Sequence, residues 1–334
     1  SFPAPRNLGV TRTSAGIGMN VSWSPPTSTG DGVITGYTVR TTPSTGTHNF
    51  SAEETSFALE DLAPGRYSVS VYARNSVGQV SAAAVRDINL SPQCSISFTG
   101  EVSSAWNVAG NWSESRIPGT GDWACLNSSS VTIPAGSTAR VAGLITGGGT
   151  TTLNGTLVAS TYFESSGAME GSGTFEAGAT VRWSLSGSVS VDVVNRGELT
   201  VDGELRLDGA TITNFGKIRL DPGEPLFTWI YTGEDGGEIF NKSGATFTAI
   251  APDGTGIQID PPVTNEGTLQ SSSVTWNSVT NNGRLVVNEG SLDSPTNVGL
   301  LTLGAGTITG RGDLHLRDVT VRSQGNTLSA RPGA

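Results

Sequence analysis

The chain is poor in the side chains from which most active sites are built. Charged residues make up 14% of the 334 positions and aromatic residues 7%, and there are two His and two Cys. Two Cys and two distant His residues do not form a zinc-binding pattern. No Ser-His-Asp set, phosphate-binding loop or His-Glu-x-x-His motif is present. We therefore expect no cofactor, apart from a Ca²⁺ ion considered below, and we identify no catalytic residues.

Clustered basic residues and long apolar runs are also missing. The 19 Lys and Arg residues are scattered among 29 Asp and Glu residues, and the formal net charge is -10. Because nucleic-acid binding needs a clustered positive surface, we expect no nucleic-acid partner. No segment is apolar enough to span a bilayer, and none keeps an apolar helical period. We therefore expect no membrane insertion. We also expect an all-β chain, because 45 Gly residues separate short apolar segments.

Cys94 and Cys125 flank a Trp-rich segment and are the only cysteines. They could form a disulfide or be two unrelated buried thiols. We predict the disulfide, and with it a secreted or cell-surface location.

The first 90 or so residues contain short strands of alternating polarity separated by turn clusters. The segments that carry a family pattern are Val21-Ser22-Trp23-Ser24-Pro25-Pro26, Ile34-Thr35-Gly36-Tyr37-Thr38-Val39, Leu59-Glu60-Asp61-Leu62-Ala63-Pro64-Gly65 and Tyr67-Ser68-Val69-Ser70-Val71-Tyr72-Ala73-Arg74-Asn75. Together they resemble a fibronectin type III domain. The resemblance implies a seven-strand sandwich over residues 1–91, with Trp23 in the core and Tyr67 at the tyrosine corner. We expect this module to act as a spacer.

A second resemblance begins with Asn107-Val108-Ala109-Gly110-Asn111-Trp112-Ser113 and continues through Arg116-Ile117-Pro118-Gly119-Thr120-Gly121-Asp122. These segments resemble the start of repetitive bacterial cell-surface and adhesin-like proteins, where they precede β-solenoid coils. The resemblance implies a class of protein and no site. We expect residues 92–145 to form a Trp-rich cap that contains Trp106, Trp112 and Trp123 and is cross-linked by the disulfide.

Residues 146–334 carry a repeated Asn-x-Gly pattern between short β runs. The copies are Asn195-Arg196-Gly197, Asn214-Phe215-Gly216, Asn265-Glu266-Gly267 and Asn281-Asn282-Gly283, with a looser copy at Asn241-Lys242-Ser243-Gly244. We expect Gly to supply a positive φ at each corner, and alternate residues such as Val194, Leu199 and Leu205 to point inward. The pattern favours a parallel β-solenoid, similar to a right-handed β-helix, over the alternative of Asn-x-Gly hairpins. No capping feature precedes Ala334, so truncation of the solenoid at its C-terminal end stays an alternative.

One segment interrupts the coil period and combines aromatic with acidic residues. Its candidate ligand-binding residues are Trp229, Tyr231, Asp221, Glu224, Glu234 and Asp235, and Asp235 with Glu238 could bind Ca²⁺. In one interpretation Trp229 and Tyr231 stack against a sugar while the acids hold hydroxyl groups or the cation. In the other, Trp229 belongs to the core and the acids lie on solvated turns.

Three functions fit these features. The first is an adhesion or matrix protein that displays a surface for an extracellular glycan or surface protein. The second is a polysaccharide-active β-helix enzyme, either a lyase or a glycoside hydrolase, or a carbohydrate-binding accessory. The third is a subunit of an extracellular fibre or phage tail assembly that self-associates through its solenoid ends. We favour the first, because no paired catalytic carboxylates are evident.

Overall fold

The computed structural model describes residues 2–178, 182–220, 227–252, 255–288 and 295–321. Within these ranges the chain consists of β-strands and one short 3₁₀ helix, Ala109–Asn111. It divides into two compact units, Ser1–Ser95 and Ile96–Ala334. The all-β prediction is therefore confirmed.

The N-terminal unit has seven antiparallel strands in two sheets. The strands are β1 (Arg6–Arg12), β2 (Met19–Ser24), β3 (Ile34–Thr42), β4 (Thr47–Ser51), β5 (Ser56–Leu59), β6 (Gly65–Asn75) and β7 (Ala84–Leu90). One sheet has the order β1-β2-β5 and the other has the order β4-β3-β6-β7. This is the sandwich expected from the family resemblance.

Alternating side chains from both sheets fill the core of the sandwich. Trp23 is 4% exposed, and its ring lies 5.4 Å from Tyr37 and 5.6 Å from Phe50, measured between centroids. The Tyr67 hydroxyl donates a hydrogen bond of 3.1 Å to the carbonyl oxygen of Ala63, which is the geometry of a tyrosine corner. Both residues thus serve as packing elements of the sandwich.

The second unit is built from parallel strands. They are β8 (Ile96–Ser97), β9 (Trp123–Cys125), β10 (Val131–Ile133), β11 (Thr138–Ile145), β12 (Thr151–Leu153), β13 (Thr156–Ser165), β14 (Met169–Glu170), β15 (Thr174–Ala177), β16 (Arg182–Val189), β17 (Asp192–Asn195), β18 (Glu198–Leu207), β19 (Thr211–Asn214), β20 (Lys217–Leu220), β21 (Phe227–Thr232), β22 (Glu238–Asn241), β23 (Thr246–Ile250), β24 (Gly256–Ile259), β25 (Val263–Asn265), β26 (Thr268–Ser272), β27 (Val274–Asn281), β28 (Arg284–Val287), β29 (Thr296–Leu303), β30 (Thr307–Gly310) and β31 (Leu314–Val321).

These strands form a parallel β-solenoid of about nine turns, as the Asn-x-Gly pattern predicted. Each coil contributes one segment to each of three stacked faces. Face 1 comprises residues 131–133, 151–153, 169–170, 187–189, 204–207, 229–232, 256–259, 274–276, 296–298 and 314–316. Face 2 comprises residues 138–141, 156–159, 174–177, 192–195, 211–214, 238–241, 263–265, 279–281, 300–303 and 318–321. Face 3 comprises residues 123–125, 143–145, 162–165, 182–185, 198–201, 217–220, 246–250, 268–272, 284–287 and 307–310.

Every second residue of a strand points into the solenoid, so the three faces enclose one continuous apolar core. The predicted inward residues Leu199 and Leu205 are fully buried. The prediction for Val194 was wrong by one position: Val193 is buried, whereas Val194 is partly exposed. A strand has a period of two, so an error of one residue places a side chain on the opposite side.

The Asn residues of the repeat form a ladder inside the corner between faces 2 and 3. Each side-chain amide donates to the Asn oxygen on the next coil, and all members are completely buried. The four hydrogen bonds measure 2.7, 2.8, 2.7 and 2.7 Å and join Asn195, Asn214, Asn241, Asn265 and Asn281 in that order. The Asn residues are thus satisfied inside the corner and bind adjacent coils to each other.

The Gly residues of the same repeat have a different role from the one expected. Gly216, Gly267 and Gly283 do not adopt a positive φ, whereas Gly244 of the looser copy does, at 83°. A Cβ on Gly283 would collide with the carbonyl oxygen of Gly267 on the coil beneath it. At these corners, therefore, Gly is required by the close approach of stacked backbones.

The N-terminal cap packs three aromatic rings against the first coils. Trp112 lies 4.8 Å from Trp106 and 5.1 Å from Phe98 between centroids, and its indole N–H donates to the Trp106 carbonyl oxygen at 2.9 Å. Beside them, Asn111 is fully buried, and its side-chain oxygen accepts hydrogen bonds from two backbone N–H groups of the preceding loop, at Val102 and Ser103. The Asn of the Gly-Asn-Trp-Ser segment thus fixes the cap's loop.

Cys94 and Cys125, the two cysteines of the chain, are disulfide-bonded, which confirms the predicted pairing. Trp123 lies two residues before Cys125 and stacks on Tyr162, with 5.6 Å between ring centroids. Burial and the nearby Glu164 carboxylate, which accepts a hydrogen bond of 2.7 Å from the Tyr162 hydroxyl, raise the pKa of Tyr162 well above its ordinary value. The solenoid already begins within the segment 92–145, because β9 pairs with β11 and β10 pairs with β12.

Candidate functional site

Strand β21 presents three aromatic side chains on the outer surface of face 1. Phe227, Trp229 and Tyr231 occupy alternate positions, while the intervening Thr228 and Ile230 are buried in the core. Phe227 is 38% exposed, and Trp229 and Tyr231 are partly exposed. We call Phe227, Trp229 and Tyr231 the aromatic row. The position of Trp229 contradicts the interpretation that placed it in the core, because its strand position directs it outward.

The rings of the aromatic row lie close to one another. The centroids of Trp229 and Tyr231 are 4.8 Å apart with planes inclined by 41°, and those of Phe227 and Trp229 are 6.4 Å apart. Gly256 on the next coil leaves space for the Phe227 ring, because a Cβ there would lie 2.7 Å from the ring's Cδ2. The absence of a side chain at Gly256 thus lets the phenyl ring lie across the neighbouring strand.

Asp260 fixes the orientation of the indole. Its Oδ2 accepts a hydrogen bond of 2.8 Å from Nε1 of Trp229, and its Oδ1 accepts one of 2.8 Å from the side-chain amide of Gln258. Both oxygens of this carboxylate are therefore engaged. Asn277 donates to the Asp260 main-chain oxygen at 3.1 Å, which joins a third coil to the arrangement.

A groove with a cavity volume of about 460 Å³ continues from Trp229 across the later coils of face 1. We call it the axial groove. Its lining residues are Gln258, Asp260, Thr275, Trp276, Asn277, Asn297, Val298, Gly299, His315, Leu316 and Arg317. Its lining residues Gln258, Thr275, Asn297 and His315 form one column in strand register, each one coil beyond the last, and Trp229 lies in the same column one coil before Gln258.

The axial groove changes in character from one end to the other. Beside the aromatic row, the side-chain amide of Gln258 donates a hydrogen bond to the Asp260 carboxylate, and that of Asn277 donates one to the Asp260 main-chain oxygen. The middle presents exposed Thr275 and Asn277, and the far end presents exposed His315 and Arg317. On the opposite side of the aromatic row, the preceding coil carries Arg206, which pairs with Asp208 at 3.0 Å. Rings, amides, hydroxyls and a terminal cation thus line one side of the solenoid.

The predicted acidic residues that the structure describes do not form a cluster. Asp221 and Glu224 lie outside the described residues. Glu234 and Asp235 are exposed on the turn after β21, and Glu238 is exposed at the start of β22. Among the residues that the structure does describe, no group of three or more His, Cys, Asp or Glu could hold a metal ion.

Asp260, Gln258 and the far end of the axial groove were missed from the sequence. They lie one to four coils beyond Trp229, and the coils differ in length. Aligning the Asn-x-Gly corners at Asn241 and Asn265, which are 24 positions apart, brings β22 and β25 into register. It does not align Trp229 with Gln258, because the segment between β21 and β22 is longer than the segment between β24 and β25.

Comparison with known proteins identifies the first unit. Residues 3–86 match the family described as "Fibronectin type III domain". No curated protein matches the chain. The N-terminal unit is therefore a fibronectin type III domain, and it is followed by a parallel β-solenoid.

Solved structures with a matching region include other proteins that contain fibronectin type III domains. The central fibronectin-III array of RIM-binding protein is 25% identical over 26% of this chain and 35% of its own, with a TM-score of 0.24. The twitchin kinase region from C. elegans is 20% identical over 27% of this chain and 16% of its own, with a TM-score of 0.22. The FN3 domain of human collagen XX is 20% identical over 27% of this chain and 92% of its own, with a TM-score of 0.22. This chain thus spans about a third or less of the first two structures.

A fibronectin type III domain, a β-solenoid and a disulfide together fit an extracellular, adhesion-type protein. In the described part of the chain, no helix has the length and apolar character needed to cross a membrane.

Proposed function

We propose that this protein is a secreted or cell-surface adhesion protein whose solenoid binds glycans through the aromatic row. The observation that carries the proposal is the outward placement of Phe227, Trp229 and Tyr231 on one strand. Folded proteins normally bury rings of this size, so a row of them on a surface marks a binding site. Adjacent hydroxyls and amides suit a ligand that combines apolar ring faces with many hydroxyl groups.

The arrangement around Trp229 is preorganised for such a ligand. Asp260 holds the indole through its N–H group, so the ring does not have to be ordered when the ligand arrives. Avoiding that loss of side-chain entropy on binding favours affinity. The partner expected for such a site is an extracellular surface protein that carries glycans.

Binding is better supported than cleavage by a glycoside hydrolase. Hydrolysis of a glycosidic bond normally requires two carboxyl groups on opposite sides of the bond. Asp260 is the one carboxylate among the described residues that line the axial groove, and both of its oxygens accept hydrogen bonds from neighbouring side chains. Self-association through the solenoid ends remains a separate hypothesis.

The direct test is a glycan array probed with the wild-type protein and with Trp229→Ala. We expect the variant to lose about 1–2 kcal/mol of binding free energy, as for the removal of a large aromatic side chain from an interface. Phe215→Ala is the matched control, because Phe215 is 45% exposed at the corner between faces 2 and 3, outside face 1, and packs under Arg196 at 4.7 Å.

Binding that is unchanged by Trp229→Ala, or reduced equally by Phe215→Ala, would contradict the proposal. A parallel assay of bound glycans for released reducing ends and for unsaturated sugar products separates binding from hydrolase and lyase activity. We expect the glycan to be recovered intact.

A further inference from the structure

The charged groups of the axial groove are separated along its length. The carboxylate of Asp260 lies at the aromatic end, where Trp229 and Gln258 occupy both of its oxygens. The exposed Arg317 lies at the opposite end beside His315. A ligand in the groove would therefore meet rings and a hydrogen-bonded carboxylate at one end and a cation at the other.

The guanidinium of Arg317 is available to a ligand. Arg317 forms no ion pair with any residue in the described part of the chain. The acidic residues closest to it in sequence, Asp313 and Asp318, lie on the preceding turn and on the part of β31 that enters face 2. An arginine remains protonated at all ordinary pH values and presents a planar fork suited to carboxylate and sulfate groups.

We propose that the axial groove binds an anionic glycan, a polysaccharide segment that carries carboxylate or sulfate groups. The segment crosses successive coils, with sugar rings stacked on Trp229 and an acidic group paired with Arg317. The inference rests on the proposed glycan-binding function and adds the chemical class of the ligand and its direction in the groove.

The dimensions of the groove agree with a short chain of sugars. Four register steps join Trp229 to His315. With parallel strands about 4.8 Å apart, these steps span about 19 Å. The spacing of the coils is close to the length of one sugar residue in an extended polysaccharide, so successive sugars meet successive coils.

The separation of charges along the axial groove gives the bound ligand a preferred direction. Asp260 and Arg317 are three coils apart, a distance of about 14 Å, which exceeds the Debye length of about 8 Å at physiological ionic strength. An acidic group at the Arg317 end is therefore largely screened from Asp260. An acidic group at the Trp229 end would be repelled by this carboxylate, in a protein whose net charge is already -10.

The experiment compares matched oligosaccharides by isothermal titration at low and high salt. The probes are hexasaccharides prepared from alginate, polygalacturonate, hyaluronan and heparan sulfate, each with a carboxyl-reduced counterpart and, where relevant, a desulfated one. We expect at least one acidic probe to bind about five-fold more tightly than its neutral counterpart at low salt, the upper range for an exposed ion pair. The modification that removes this preference identifies carboxylate or sulfate as the recognised group.

Arg317→Gln should weaken binding of the acidic probe more than binding of its neutral counterpart, and so remove the preference for the acidic probe. Arg311→Gln is the matched control, because Arg311 is also exposed, lies on the turn before β31 and does not line the groove. Equal affinities for the acidic and neutral members of every pair, or a preference that survives in Arg317→Gln, would overturn the inference.

Trp229→Ala distinguishes this inference from the proposed function. If the wild-type protein shows no acidic preference but Trp229→Ala weakens binding of both members of a pair, the inference fails and glycan binding stands. If no probe binds but the glycan array shows binding that depends on Trp229, the inference fails and glycan binding stands. If Trp229→Ala binds as the wild-type protein does, both fail.

Discussion

Single buried Asn side chains determine how the coils of the solenoid are joined. Asn241 illustrates the arrangement: its Oδ1 accepts from Asn214 at 2.8 Å, and its amide donates to Asn265 at 2.7 Å and to the Thr268 main-chain oxygen at 3.1 Å. Each amide serves as donor and acceptor between successive coils. A buried polar network is stabilising only when every member is satisfied, so the ladder is vulnerable at each position.

Replacing Asn241 with Ala should therefore destabilise the solenoid strongly. The change leaves polar groups of Asn214, Asn265 and Thr268 without their partner inside the protein, and we expect a loss of about 3 kcal/mol in the free energy of unfolding. Urea denaturation measures the loss. The neighbouring Lys242→Ala removes a partly exposed ion pair with Glu266 and should cost less than about 1 kcal/mol. Equal effects of the two substitutions would show that the ladder does not hold the coils together.

At this scale the sequence predicted residue types better than residue positions. The Asn and Gly residues of the repeat were identified, because only a few residue types suit a tight corner. Val194 was assigned to the wrong side of its strand, because a shift of one residue reverses every side chain and no local feature fixed the register. Asp260 was missed because its contact with Trp229 depends on coil stacking, which links residues 31 positions apart.

The corners between faces 2 and 3 are the elements that the repeat specifies most closely. Gly283 stacks directly against Gly267, whereas Gly244 has a φ of 83° and open space, with no atom within 4 Å, where a Cβ would stand. The same residue type thus meets two requirements in one repeat, close approach at one corner and a left-handed backbone at another.

Two pairs of substitutions distinguish these requirements. Gly283→Ala should cost about 3 kcal/mol, because its methyl group meets the backbone of the coil beneath. Gly244→Ala should cost about 1–2 kcal/mol for the left-handed conformation, and Gly244→Asn should cost less, because Asn tolerates this region. Gly283→Asn should be at least as harmful as Gly283→Ala. Thermal unfolding monitored by circular dichroism provides the comparison, and an opposite order of the two Asn variants would contradict this account of the corners.

At the level of strands, the sequence indicated the sandwich and the solenoid, because both have a recurring local pattern. The aromatic row was anticipated through Trp229 and Tyr231. Phe227 was not singled out, because its exposure depends on the missing side chain of Gly256 on the next coil.

For the whole molecule, the fold supplies a surface on which equivalent positions recur from coil to coil. The solenoid places Trp229, Gln258, Thr275, Asn297 and His315 in one column by strand register alone. Residues far apart in sequence thereby line a single groove. This is the property that links the repeat to the proposed function, because an extended polymer can be bound by several coils at once.

The central claim, that a glycan lies across successive coils from the aromatic row to Arg317, is tested most directly by the dependence of affinity on oligosaccharide length. Titration of the wild-type protein with a series from monosaccharide to octasaccharide should show affinity rising with each added sugar. The rise should end once the chain spans about 19 Å, the four strand spacings between Trp229 and His315. A monosaccharide that binds as tightly as the longer chains would contradict the account.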